Sequence, residues 1–183
     1  MDSVCTGKDG IASCGGIGFE GTSTEAAEQS RTQAIPAYPI LRSGSAKDIE
    51  CTMGIIAIAL NGVSIYSGAV DFQCNMVDPN SSTSEWTSFD MCGGHSERTG
   101  DYHYHFPPTC LEHQMKSAAT VPSSLGFHSA QIGWAFDGFP IYGPISSSGA
   151  LIDHAALDEC SGLAGEIPSL DSFKYRYYMT GQK

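Results

Sequence analysis

Three of the six histidines in this chain fall close together: His95 follows Cys92-Gly93-Gly94, and His103 and His105 alternate with tyrosines in Tyr102-His103-Tyr104-His105. Successive side chains of an extended strand take opposite faces, so His103 and His105 share one face and Tyr102 and Tyr104 the other. Gly93, Gly94 and Gly100 bracket a turn that folds His95 back over the histidine face, and a Cys92–Cys110 disulfide closes the bracket. Three imidazole nitrogens then converge. Such a set suits zinc or copper and is poorly matched to calcium or magnesium, which prefer oxygen. A fourth position left to water gives a site of the open, catalytic type. Asp90, Asp101 and Asp137 are the candidates to complete the set or to fix an imidazole tautomer from outside it. The competing reading is a Tyr/His strand that only packs its amphipathic rings on a half-buried sheet.

His128 opens the stretch that leads to Asp137, and from a loop it could reach the first site as a further ligand or a general acid/base. His128 and Asp137 are therefore the catalytic candidates. His113 and His154 lie in polar context and are expected to face solvent. No nucleophile elbow, phosphate-binding loop, zinc-protease helix or dinucleotide fingerprint is present, so no enzyme class follows from a motif.

The elements that must position these residues read as strands and turns. Gly54 to Leu60, Asn61-Gly62 and Val63 to Tyr66 form one hairpin signal, and Ile132 to Phe136, Asp137-Gly138 and Phe139 to Tyr142 form a second, each with a type I′ turn. The order is kept further along: Asp90-x-Cys92-x-Gly94 returns as Asp158-x-Cys160-x-Gly162, and Tyr102-x-Tyr104 returns as Tyr175-x-Tyr177. An internal duplication accounts for this, two unrelated turns being the alternative. In the second copy His95, His103 and His105 become Leu163, Arg176 and Tyr178, a joint loss that fits one shared role. The expected fold is mainly β, a hairpin-rich antiparallel sheet or sandwich with that duplication. Residues 1–50, rich in Gly, Ser and Thr, form an irregular N-terminal arm in which Glu25 to Arg31 could make a brief helical turn.

Composition bounds the partners. Twenty acidic against nine basic residues give a net charge of −11 with no Lys/Arg cluster, which argues against nucleic acid. The longest apolar run, Gly54 to Leu60, is far short of the roughly 18 residues a membrane helix needs, so no membrane insertion is expected. Met1-Asp-Ser-Val-Cys5 lacks the pattern of a signal peptide. Seven cysteines without a C-x-x-C pair point to disulfides and to an extracellular or other oxidising lumen. Cys5–Cys14 and Cys51–Cys74 are the next pairings by proximity, and Asn80-Ser81-Ser82 is a glycosylation acceptor triplet.

Asp90-x-Cys92-x-Gly94-His95, Tyr102-His103-Tyr104-His105 and the run from His128-Ser129 through Ala135-Phe136-Asp137-Gly138-Phe139-Pro140-Ile141-Tyr142-Gly143-Pro144 together resemble the YHYH domain family, over residues 51–183. The resemblance implies a domain of exported proteins and supplies no activity. It also implies an aromatic-proline segment and a cysteine after the last Tyr-rich strand. This chain stops at Lys183 without them, which leaves Cys160 short of a partner. The leading expectation is a secreted or lumenal metal-binding domain, extending to a zinc- or copper-dependent enzyme. The alternative is a non-catalytic structural or accessory subunit of a larger assembly, joined to a protein partner through its N-terminal arm.

Overall fold

The apolar run after Gly54 forms strand β1 (Ile55–Ala59), which turns through Asn61-Gly62 into β2 (Ser64–Tyr66). The second run does the same as β5 (Gln131–Ala135) and β6 (Pro140–Tyr142). In this computed structural model the described residues are 25–44, 53–69, 88–117, 128–165 and 172–180. The expected Cys5–Cys14 and Cys51–Cys74 pairs and the Asn80 triplet lie outside them.

Both turns differ from the expected type I′. Gly62 and Gly138 have φ of 86° and 96°, but Ser161 is the only described non-glycine residue with positive φ, so Asn61 and Asp137 stay right-handed. The Gly62 N–H donates to the Ala59 carbonyl (2.9 Å) and the Ala59 N–H to the Val63 carbonyl (2.8 Å); Gly138, Ala135 and Phe139 repeat this at 2.9 and 3.0 Å. This is a type I turn closed by one left-handed glycine. Asn61 Oδ1 accepts from the Val63 N–H and Asp137 Oδ1 from the Phe139 N–H, so the side chain completes the turn and a single positive φ is enough.

Four more strands, β3 (Gly94–Ser96), β4 (Tyr102–Tyr104), β7 (Gly162–Ala164) and β8 (Tyr175–Tyr178), complete one eight-stranded sheet. Its order is β3-β4-β2-β1-β5-β6-β8-β7. Moving outward from the antiparallel β1/β5 centre, the two sides match strand for strand. Ile65 faces Tyr104 as Ile141 faces Tyr177, and His95 faces His103 as Leu163 faces Arg176. The sheet is mixed rather than wholly antiparallel: β2/β4 and β6/β8 are parallel. Each outer hairpin lays its second strand against the inner hairpin, and the long connection through β3 or β7 restores the chain direction that parallel pairing requires.

A helix that the sequence reading missed, α1 (Thr109–Ser117), follows Pro107-Pro108. Proline suits a first helical turn and Glu112 suits its positive end. Leu111 and Met115 of α1 pack on the core formed by Ala57, Ala59, Ile65, Tyr104, Ile132 and Ile141. The arm is irregular over residues 25–44, without the expected turn at Glu25 to Arg31. Its backbone bonds across to the sheet instead, Ala27 N–H to the Gly100 carbonyl at 2.8 Å. Among the described residues no helix is long and apolar enough to cross a membrane.

Candidate metal centre

His95 and His103 are direct cross-strand partners in the β3/β4 hairpin, and His105 follows two residues on, so alternation returns it to the same face. His103 Nε2 lies 3.0 Å from His95 Nε2 and 3.1 Å from His105 Nε2. One nitrogen from each ring lies within 4.8 Å of the other two. Two nitrogens bound to one tetrahedral zinc at about 2.0–2.1 Å stand about 3.3–3.4 Å apart, and both His103 contacts fall close to that spacing. His95 comes in by strand pairing across a hairpin whose turn Gly100 closes at φ 78°, its N–H donating to the Glu97 carbonyl at 2.9 Å. The glycines permit close approach: Gly93, at φ 87°, turns its carbonyl onto the N–H groups of His105 (3.1 Å) and Phe106 (3.2 Å). A Cβ on Gly94 would sit 2.5 Å from the His103 carbonyl oxygen. The Cys92–Cys110 disulfide is formed.

The protons in this cluster can be traced. His103 Nδ1 donates to the Asp101 carbonyl at 2.9 Å, so the neutral ring carries its lone pair on Nε2, where it faces two other nitrogens. An Nε2 has one in-plane position, holding either a proton or a lone pair, and cannot serve two neutral partners. Protonation is disfavoured: burial, reinforced by nearby His103, pushes His95 down to about 4. Burial and the two neighbouring rings push His105 down to about 3, the Ser67 backbone opposing. Burial also lowers His103, against the pull of the Asp101 carbonyl and charge. At neutral pH all three are in the neutral form that binds metal. His95 Nδ1 is held by Ser88 Oγ at 2.6 Å, while the buried His105 Nδ1 makes no well-formed hydrogen bond beyond the weak pull of the Ser67 backbone.

Aromatic rings wall the cluster. Tyr66 stacks on His103 with centroids 3.7 Å apart, and Phe89 lies 4.4 Å from His95 and 5.3 Å from His105. None of the three expected carboxylates joins the cluster. Asp90 accepts from the N–H groups of Cys92 and Gly94 and from Tyr102 OH, and Asp101 accepts from Arg31 and Tyr66 OH. Asp137 belongs to the other hairpin, where Tyr177 OH donates to it at 2.6 Å. The tautomer-fixing role foreseen for a carboxylate falls to the Asp101 backbone carbonyl. His128 is likewise not brought to the cluster. It is buried beside β8, donating from Nδ1 to the Ser129 carbonyl and accepting from Tyr178 OH. His113 and His154 are exposed, as expected.

The opposite end of the sheet repeats the frame without the histidines. Asp158 binds the Cys160 and Gly162 N–H groups and Tyr175 OH as Asp90 binds its own set. The cluster positions hold Leu163, Arg176 and Tyr178, and the Arg176 guanidinium, fully buried, donates to the Gly165 and Phe173 carbonyls at 2.9 Å each. Cys160, the counterpart of Cys92, is a free thiol. The sequence reading missed Arg31, Tyr66, Ser88 and Phe89. Tyr66 was reachable, because alternation from Ile65 in the first hairpin puts it on the face opposite the core; the others carried no local signal.

Among protein families, the chain matches the one described as YHYH protein over residues 32–151. No curated protein and no solved structure matches it.

Proposed function

Starting from a chain that belongs to the YHYH family, we propose that it binds one zinc or copper ion on His95, His103 and His105. The observation that carries this reading is the double contact at His103 Nε2, which two neutral imidazoles cannot satisfy and one cation can. The donor set is all nitrogen, neutral and aromatic-walled, which favours zinc or copper over oxygen-seeking cations. When bound, such an ion supplies a Lewis acid, and this is the basis for the extension to an enzyme. The chain's own contributions are the Asp101 carbonyl that fixes the His103 tautomer, Ser88 on His95, and the Tyr66 and Phe89 rings that restrict water. The Cys92–Cys110 disulfide supports an extracellular or oxidising lumenal setting. The matching halves support an internal duplication in which only one copy carries the ligands.

The test is competition titration of untagged protein with zinc and copper. Alanine at His95, His103 or His105 is expected to weaken binding by roughly 100-fold or more, and alanine at His113 or His154 to leave it unchanged. Equal losses at both sets, or no binding at all, would contradict the reading. The accessory-subunit alternative is favoured by one feature, the arm's Tyr38 and Ile40, which are 90% and 89% exposed and suit an apolar partner surface.

A further inference from the structure

Arg31 belongs to the irregular arm and lies just ahead of the family match at residues 32–151, yet it reaches the frame of the histidine cluster. Its Nη2 sits 2.6 Å from Asp101 Oδ2 and its Nη1 donates to Ser64 Oγ at 3.0 Å. Ser64 is the partner of His103 in the parallel β2/β4 pair. Asp101 touches the His103 ring by two routes. Its carbonyl holds Nδ1, and the same Oδ2 that takes Arg31 accepts from Tyr66 OH at 2.6 Å, fixing the ring that stacks on His103. The Asp101 side chain is only 2% exposed, and a buried carboxylate requires a counter-charge. Arg31 supplies that counter-charge as an ion pair. The arm is seated just beside it, with Ala27 against Gly100, where an added Cβ would meet Ala27 Cβ at 2.6 Å.

We propose that Arg31 is a positioning residue for the histidine cluster: by pairing with Asp101 it holds that residue where it fixes both the His103 tautomer and the Tyr66 ring. The inference rests on the metal-binding reading for its consequence, but its geometry exists in the metal-free chain. It also has a sign of its own. Deleting a positive charge near a cation site tightens binding if only Coulomb's law acts, whereas loss of a positioning residue weakens it. The planar guanidinium serves Asp101 and Ser64 at once, which an amine does less well.

The experiment uses the full chain with Arg31→Ala, Arg31→Lys, Asp101→Asn and the Arg31→Ala/Asp101→Asn double variant. Two quantities are read: zinc affinity by competition with a chromophoric chelator, and the nitrogen–proton NMR correlation of the His103 ring in metal-free protein. Arg31→Ala should weaken zinc binding about tenfold and shift the His103 Nδ1 signal. Arg31→Lys should recover much of both, and Arg31→Ala should add little once Asp101 is Asn, since only the neutral Ser64 contact then remains to be lost. Zinc binding as tight as wild type or tighter in Arg31→Ala, with the His103 signal unmoved, overturns the proposal. If wild type binds neither zinc nor copper, the metal reading falls and the His103 signal alone decides: a shift in Arg31→Ala that Lys reverses upholds the positioning role, and an unmoved signal overturns it.

Discussion

Where β3 and β4 set His95 opposite His103, β7 and β8 set Leu163 opposite Arg176, in the same register and at the same distance from the centre of the sheet. Each end has an aspartate that closes a turn and anchors a tyrosine, and each has a second tyrosine bonded to the side chain of an inner-hairpin turn residue, Tyr104 to Asn61 and Tyr177 to Asp137. The frame is therefore independent of what it displays. What differs is how the buried positions are satisfied. Arg176 is a fixed cation that donates to two backbone carbonyls, so that end needs no added ion to carry its charge. The histidine end leaves nitrogens facing one another, a conflict that the proposed cation would resolve.

The largest effect on folding should come from Arg176→Met, which leaves two carbonyls without their charged donor. Its expected cost is about 3 kcal/mol in chemical denaturation, with metal binding unchanged. His103→Ala in metal-free protein should cost less, about 1 kcal/mol, while removing metal binding. A reversed order would mean that the histidine end is the self-sufficient one.

The shared frame is sharpened by Asp90→Ala and Asp158→Ala, which delete matching sets of accepted hydrogen bonds. Each should destabilise by about 1–2 kcal/mol, and the two values should agree closely. A cost confined to Asp90 would show that the ends do not share one plan.

A further effect is with pH. His95 and His105 titrate near about 4 and about 3 in the folded chain, against about 6.5 unfolded. Between these values the unfolded chain holds more protons, so metal-free stability falls as pH drops from about 6.5, less steeply below about 4, and levels off below about 3. Urea midpoints should show this slope in wild type and a shallower one in His95→Leu/His103→Leu/His105→Leu. The same shift carries the expected loss of metal down to roughly pH 4, below the pH near 6 expected of unperturbed imidazoles.

Much of the site was legible because its signals are local. Period-two alternation in Tyr102 to His105 is a property of any strand, the Asn-Gly and Asp-Gly turns mark their hairpins, and Cys92 and Cys110 flank the histidines. The rest depends on pairing between distant segments. The parallel joints depend on which hairpin edge receives β4 and β8. The Arg31–Asp101 contact spans 70 residues and leaves no periodic trace. The turn type was misjudged because Asn61 and Asp137 close the turn with their side chains, not with a left-handed backbone. For α1 the signal was present in Pro107-Pro108-Thr109 and was passed over.

The most direct test of the central claim is the metal content of untagged wild-type protein, measured by elemental mass spectrometry after dialysis against excess zinc or copper and then metal-free buffer. One zinc or copper ion per chain is expected, lost in His103→Ala and retained in Arg176→Met. Absence of both metals from wild type, or their undiminished retention in His103→Ala, would contradict it.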